Sequence, residues 1–366
     1  MSFKESSKIK VAVLYGGRSA EHEVSLLSAA SVIKNLDKNK FTVIPIGIDK
    51  QGRCFINELQ HLYVNDEIVL KTKNAKCLQS LVELNQATQQ GPDVVFPVLH
   101  GSFGEDGTIQ GLLEILDLAY VGADVLGSAV GMDKELAKRL AAAAEVPVVP
   151  FLSVNSGLWS TKKDELMQSI EREIGYPLFV KPANAGSSLG VTKVKKLVEL
   201  ADAIELAFTY STKILLEQAF EVREIEMAVL ENLQWGADPL VSGVGEIIPS
   251  HEFYSYEAKY LDPKGAELII PASLQEGQLQ QLKRLGKKIF NCLDCSGMAR
   301  IDFFIEKQSQ KIYFNELNTI PGFTSKISMY PKLWEASGLA YQQLLTQLIE
   351  LALARYQRLS LLKRSI

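Results

Sequence analysis

The sequence predicts an N-terminal α/β domain on a doubly wound parallel sheet, then two α+β domains, with boundaries at 1–130, 131–222 and 223–366. Three observations predict it. A chain of 366 residues exceeds one ordinary domain, the usual unit being about 150. Its first third alternates buried-strand runs with helical patterns, as βα units do. Its last third carries strand runs joined by a short turn, as an antiparallel sheet does.

The elements follow in order. Ile9–Tyr15 is a mostly apolar run that breaks at Gly16-Gly17. Ser19 is placed to cap a helix whose apolar positions Leu26, Ala29, Ala30, Ile33 and Leu36 recur at helical spacing. Phe41–Ile48 and Asp93–Leu99 read as further strands, the latter ending at His100-Gly101 before a helix over Thr108–Leu116. Between them, residues 50–90 are weakly patterned, with a helix suggested near Ala75–Gln90. Met132-Asp133-Lys134 opens a helix to Ala144, which Pro147 and Pro150 stop. A turn at Trp159–Lys163 precedes a helix to Ile174. Then come a strand over Tyr176–Lys181, a small-residue loop to Gly190, and strands at Val191–Val194 and Lys213–Glu217. The third region holds several strands from Arg223, a helix over Gln278–Leu293 and an amphipathic helix after Leu339. Its basic residues Arg355, Arg358, Lys363 and Arg364 read as a solvated helix end.

Composition narrows the function. With 47% hydrophobic and 22% charged residues the chain is globular rather than disordered. A net charge of −4 provides no global cationic field for nucleic acid or anionic lipid. No uncharged apolar run reaches the roughly 18 residues of a membrane helix, and Met1–Lys8 has no apolar signal-peptide core. Cys292 and Cys295 have CxxC spacing but no second pair, and Cys54 and Cys77 stand apart, so all four read as buried, reduced thiols. The chain reads as cytoplasmic.

Two constellations carry chemistry. The loop 183–190 holds Gly186, Ser187, Ser188 and Gly190, which lack bulk and expose backbone N–H groups to an anion. Lys181 precedes it as a point charge for phosphate. The loop lies between two strands and has neither GxxxxGK[ST] nor GxGxxG, which disfavours a P-loop and a dinucleotide fingerprint. A plain turn remains the alternative. The second constellation is the hairpin Ala299–Glu306 and Lys311–Asn318. A turn centred on Ser309 sets Asp302 opposite Glu316 and Arg300 opposite Asn318, all on one face. Opposed carboxylates repel unless a cation lies between them, and Asn318 completes an all-oxygen set suited to Mg²⁺ rather than zinc. The plainer alternative is a surface hairpin with solvated acids, and a one-residue slip would put the carboxylates on opposite faces. Glu21, His100 and the aromatic run Phe253–Tyr260 are weak signals singly; Glu21 suits a helix N-terminus regardless of function.

Seven motifs stand in order. They are Gly16-Gly-Arg-Ser-Ala-Glu-His-Glu-Val-Ser25, Leu99-His-Gly-Ser-Phe-Gly-Glu-Asp-Gly107, Met132-Asp-Lys134, Lys181-Pro-Ala-Asn-Ala-Gly-Ser-Ser-Leu-Gly190, Tyr256-Glu-Ala-Lys-Tyr260, Gly297-Met-Ala-Arg-Ile-Asp302 and Asn315-Glu-Leu-Asn-Thr-Ile-Pro-Gly322. The series resembles the D-alanine–D-alanine ligases of the ATP-grasp superfamily over the whole chain except the stretch near 50–90. The resemblance implies ligation of two D-alanines through an acyl phosphate, for peptidoglycan precursors, by a cytoplasmic homodimer. It implies ATP between the second and third domains, with Lys134, Lys181 and Lys259 on its phosphates, Glu217 and the backbone near Ala219 on adenine, and Glu224 on the ribose. It implies two Mg²⁺ (or Mn²⁺) ions on Asp302, Glu316 and Asn318. Glu21 would hold the ammonium of the first D-alanine, tied to Ser187 and Tyr260 in a lid network, with His100 lining the subsite and Arg300 on the oxyanion. Thr324-Ser-Lys-Ile-Ser328 has one residue more than the family spacing, so Ser325 or Ser328 would meet the second D-alanine, Ser328 being favoured by register. In the family, Phe at position 260 accompanies D-lactate use, so Tyr260 argues for the dipeptide. A relative using D-lactate or D-serine, or a sugar or nucleotide binding module without chemistry, are the alternatives.

Overall fold

The computed structural model describes residues 8–64, 67–68, 76–78, 91–249, 266–325 and 327–363. The first sheet is built on β1 (Ile9–Gly16), followed by α1 (His22–Asn35), β2 (Phe41–Ile48), β3 (Cys54–Ile56), a short ribbon of β4 (Tyr63–Val64) and β5 (Glu67–Ile68), β6 (Lys76–Leu78) and β7 (Val94–Val98). The order is β6-β3-β2-β1-β7, with β2 and β7 parallel to β1 on either side. Val11, Val13 and Tyr15 enter one core and Ala12 and Leu14 another, so β1 is covered on both faces. That is why it reads as an unbroken apolar run rather than an alternation.

Two expectations need correction here. Glu21, not Ser19, occupies the N-cap of α1. The Ser19 hydroxyl donates to the His100 carbonyl and accepts the Glu21 N–H, so it ties the helix start to the end of β7. Residues 76–78 pair with β3 as a strand where the sequence suggested helix; positions 75 and 79–90 lie outside the described residues.

Next come α2 (Thr108–Ile115), α3 (Val125–Met132) and α4 (Lys134–Ala143). The sequence pattern missed α3, whose glycines are poor helix formers. Packing explains them. A Cβ on Gly131 would lie 2.9 Å from the Leu317 side chain, and one on Gly127 2.9 Å from the Asp294 carbonyl. The central sheet comprises β8 (Phe151–Asn155), β9 (Leu178–Pro182), β10 (Thr192–Val194) and β11 (Lys213–Gln218), in the order β10-β9-β11-β8. Helices α5 (Ser156–Glu173) and α6 (Leu197–Phe208) cover it. The expected turn at Trp159–Lys163 is helix, kinked at Lys162 (φ −134°, ψ 34°). Trp159 donates to Glu205 on α6 over 2.7 Å, which holds the segment helical against the sheet.

The third sheet is antiparallel, in the order β14-β13-β12-β15-β16. It consists of β12 (Val222–Leu230), β13 (Leu240–Pro249), β14 (Ala266–Ile269), β15 (Met298–Glu306) and β16 (Ile312–Asn318). One face buries Ile225, Met227, Ile301, Phe303 and Phe314 against α7 (Glu276–Cys292) and Ala137 and Ala141 of α4. The chain ends in α8 (Met329–Ala336) and α9 (Tyr341–Ser360). Leu344, Leu345 and Leu348 of α9 share a core with Val11 and Val13 of the first sheet.

That return contact corrects the reading of the basic tail. Arg355 donates to the Tyr120 carbonyl (2.7 Å), the Gly122 carbonyl (2.7 Å) and Ser296 Oγ (3.0 Å), and lies over the Tyr120 ring. Arg358 covers the Trp235 ring at 3.8 Å. Both are tertiary clamps rather than solvated ends. Of the cysteines, Cys54 and Cys295 are buried and free as expected, while Cys292 is free and half-buried.

Candidate active site

The second face of the third sheet carries the charged groups. Asp302 pairs with Glu316 and Arg300 with Asn318 across β15 and β16, as the hairpin argument required. The route to that register differs from the one expected. Next to the turn Phe303 pairs with Phe314 and Ile305 with Ile312, and a β-bulge between Asp302 and Phe303 then leaves Asn315 unpaired. Without the bulge Glu316 would follow the inward Phe314 onto the core face; with it, Phe314 and Leu317 both point inward and Glu316 faces Asp302.

Two protein cations hold these carboxylates. Arg300 makes a two-pronged contact with Asp302, Nε and Nη2 each at 2.7 Å, and its Nε lies 3.1 Å from Glu226 on β12. Burial alone would lower the Arg300 pKa; Asp302 and Glu226 outweigh it and raise it well above the ordinary value. Asn318 Nδ2 donates to Asp302 over 3.2 Å. Lys134, the first residue of α4, reaches Glu316 (3.1 Å) and the Ala185 carbonyl (2.9 Å), bridging the third sheet to the small-residue loop. Its burial is likewise outweighed by Glu316, which keeps the amine protonated. The donor set of Asp302, Glu316 and the Asn318 amide oxygen is all oxygen, which fits a hard divalent cation. Among the described residues no His, Cys, Asp or Glu group of three stands in ligating array, and both carboxylates are held by Arg300 and Lys134.

On the facing central sheet, Lys181 pairs with Glu217 over 2.5 Å and lies over the Phe304 ring. Glu217 also meets Lys138, 3.2 Å away and fully buried. Burial would raise the Glu217 pKa, and Lys138 and Lys181 reverse this, lowering it. Lys138 was not singled out from the sequence. Its signal was there: it lies four residues after Lys134 on the same helix face. Glu226 was missed in the same way, two residues from Glu224 and so on the same strand face. Glu224 itself lies on β12 opposite Phe304. The Ala219 N–H donates to the Pro177 carbonyl over 3.0 Å, so it is engaged within the sheet.

A third cluster spans the first domain and the loop. The Ser187 hydroxyl donates to the Glu21 carboxylate across 166 positions of sequence. A Cβ on Gly186 would lie 2.8 Å, and one on Gly101 2.5 Å, from a Glu21 oxygen. Only glycine lets both backbones close on that carboxylate. Ser187 and Ser188 hold φ of 51° and 58°, the left-handed turn that aims the loop at Glu21. His100 is buried, Nδ1 donating to the Ile320 carbonyl and Nε2 accepting from Ser28, both at 2.9 Å. Burial lowers its pKa, so the ring is neutral. Both nitrogens are therefore spent on the protein, and His100 joins β7 to the segment after β16. Ser328 Oγ accepts the Thr324 N–H (3.0 Å) beside Gly322, whereas Ser325 is tied through its N–H to Ser31. The expected residues Lys259 and Tyr260 lie outside the described residues.

Comparison with known proteins agrees with this geometry. Residues 10–123 match the family model described as the D-ala D-ala ligase N-terminus, and residues 140–350 the one described as its C-terminus. The chain is 50% identical to a D-alanine–D-alanine ligase of Caldicellulosiruptor bescii, covering 98% of this chain and 99% of the relative. It is 46% identical to a D-alanine–D-alanine ligase A of Bradyrhizobium diazoefficiens, again over 98% and 99%. The solved D-alanine-D-alanine ligase from Coxiella burnetii superposes with a TM-score of 0.79 at 37% identity, over 97% of each chain. The VanG D-Ala:D-Ser ligase from Enterococcus faecalis superposes at 0.82, also 37% identical, over 94% of this chain and all of that one. A first sheet with a parallel core of β2, β1 and β7, two antiparallel sheets whose charged faces meet, and relatives of nearly equal length agree: the chain belongs to the D-alanine–D-alanine ligase family.

Proposed function

We propose that this protein joins two D-alanines into D-alanyl-D-alanine at the expense of ATP, giving ADP and phosphate, for peptidoglycan precursor synthesis. The carboxylate of the first D-alanine attacks the γ-phosphorus and ADP leaves. The amine of the second attacks the resulting acyl phosphate, and phosphate leaves from a tetrahedral intermediate. Both reacting partners of the first step are anionic, so charge neutralisation and alignment are the catalytic problem. Lys134, Lys181 and Lys259 serve the phosphates in this reading, and Arg300 the oxyanion. Glu217 and the segment at Ala219 face adenine, and Glu224 the ribose. Glu21, held by Ser187 and joined by Tyr260, takes the ammonium of the first D-alanine. Ser328 beside Gly322 takes the second substrate's carboxylate. His100, with both nitrogens engaged, shapes the subsite rather than titrating in it. Mg²⁺ or Mn²⁺ held by Asp302, Glu316 and Asn318, as two ions, would neutralise phosphate charge.

One observation carries the reading: Asp302 faces Glu316 directly, with Arg300 and Lys134 closing on them from two directions. The enzyme would work in the cytoplasm, where its substrates meet, as a homodimer. No helix among the described residues is long and apolar enough to cross a membrane. The test is ADP release with ATP, Mg²⁺ and D-alanine, scanning D-alanine, D-serine and D-lactate as acceptor. D-alanine is expected to lead. Preference for D-serine would favour the activity that the Enterococcus faecalis ligase's name describes. Arg300→Ala should lower kcat by about 10²-fold or more with ATP affinity unchanged, the scale of losing an oxyanion donor; an effect on KM alone would remove Arg300 from that role.

A further inference from the structure

Asp302 presents a conflict. In the reading above it is a metal ligand, yet its two oxygens already accept three N–H groups, two from Arg300 and one from Asn318. Three of its roughly four lone-pair sites are thus taken, so a divalent cation has to compete with the guanidinium for this carboxylate. Arg300 cannot simply be released, because its side chain is only 20% exposed and a buried unpaired charge is strongly destabilising.

The next strand holds a second acceptor. Glu226 on β12 pairs with Asp302 on β15, which pairs with Glu316 on β16, so three carboxylates form one row across three strands. Glu226 is buried, and its Oε2 is 3.1 Å from Arg300 Nε. Arg300 lies two residues along β15 on the same face, between the two acids. Glu226 and Asp302 sit on the two neighbouring inner strands β12 and β15, and β16 closes the edge of the same sheet, which packs on α7. We propose that Glu226 is a positioning residue that retains the Arg300 guanidinium when a divalent cation takes Asp302.

The handover leaves each cation with an acid, the ion on Asp302 and the guanidinium on Glu226. With Asp302 engaged by the ion, the guanidinium would rest on Glu226, which it already approaches to 3.1 Å, without leaving the face where an oxyanion would form. A single arginine thereby guards the metal site before loading and remains aimed at substrate afterwards. This rests on the metal reading of Asp302, so the experiment separates the two.

Binding of Mn²⁺ alone, followed by electron paramagnetic resonance of the free ion, is measured on six proteins: wild type, Asp302→Asn, Glu226→Gln, Glu226→Asp, Arg300→Gln and the Glu226→Gln/Arg300→Gln double variant. Glu226→Gln should weaken Mn²⁺ by about five- to tenfold, because Arg300 then stays on Asp302; such coupling is of ordinary size for close charge pairs. Arg300→Gln should tighten Mn²⁺, and in that background Glu226→Gln should change it less than about twofold. Glu226→Asp, which keeps the charge, should recover part of the loss and serves if the glutamine variant does not fold. Equal weakening in both backgrounds would overturn the proposal, since Glu226 would then act on the ion directly, and so would no weakening at all. An Asp302→Asn protein that binds Mn²⁺ like wild type, or a wild type that binds none at millimolar concentration, would instead overturn the metal reading.

Discussion

At the scale of single residues, the Glu105 carboxyl shows how burial beside a second acid tunes a group at the end of the loop after β7. It is buried, accepts the Gly101 N–H over 2.8 Å, and has its pKa pushed up to about 8 by burial and then by the Glu21 carboxylate. The folded protein therefore keeps this proton up to pH 8, whereas the unfolded chain loses it near pH 4.5. Stability from this group is complete below the unfolded value and declines as pH rises toward 8. The stability difference between wild type and Glu105→Gln should accordingly fall between pH 5 and pH 8.5, by roughly a few kcal/mol. Urea unfolding of both proteins at those two pH values measures it, and a pH-independent difference would refute the assignment. The same scale explains Lys138. Its fully buried amine is compensated by Glu217, and removing that carboxylate leaves an uncompensated charge costing about 3–5 kcal/mol.

At the scale of elements, the start of α4 links folding to the site. Asp133 ends α3 and caps α4, its carboxylate accepting the Leu136 N–H over 3.0 Å and pairing with Lys213 on β11. The next residue is Lys134, whose amine bridges Glu316 and the Ala185 carbonyl. Loss of a capping carboxylate costs about 0.5–2 kcal/mol, and here it also frees the first turn that aims Lys134. Asp133→Ala should lower stability by roughly 1–2 kcal/mol and raise the KM for ATP more than it lowers kcat. Steady-state kinetics alongside thermal melts decide it; unchanged KM at reduced stability would mean that Lys134 is held by its contacts rather than by its helix. The bulge at Asn315 belongs to this scale too. It re-phases one strand so that an apolar pair three apart, Phe314 and Leu317, faces the core while Glu316 turns to the site.

At the scale of the whole molecule, the chain returns to its beginning. Helix α9 covers the first sheet and Arg355 fastens it to Tyr120, Gly122 and Ser296, a clamp between segments far apart in sequence. Three charge-assisted hydrogen bonds and a ring contact vanish in Arg355→Ala. The expected loss is about 2–4 kcal/mol, with kcat/KM nearly unchanged at temperatures where the variant is folded. Arg355→Lys should not restore it, because a lysine lacks the planar fork that reaches two carbonyls at once. Denaturant unfolding measures both; full rescue by lysine would show that charge alone suffices.

The sequence by itself determined the groups whose meaning is local. Apolar runs, helical spacing and small-residue loops located β1, β2, β7, α7 and the turn before Thr192, because period and turn chemistry act over a few residues. The hairpin put Asp302 against Glu316 for the same reason, although the turn and the bulge each depart from the simple count and offset one another. Tertiary structure alone decided the rest. Lys138 and Glu226 share a face with Lys134 and Glu224 in the sequence, but their partners, like those of Arg355, come from distant segments, which make them a buried ion pair, a neighbour of Arg300 and a clamp. Burial of charge is a property of what packs above a side chain, and no window of sequence contains that.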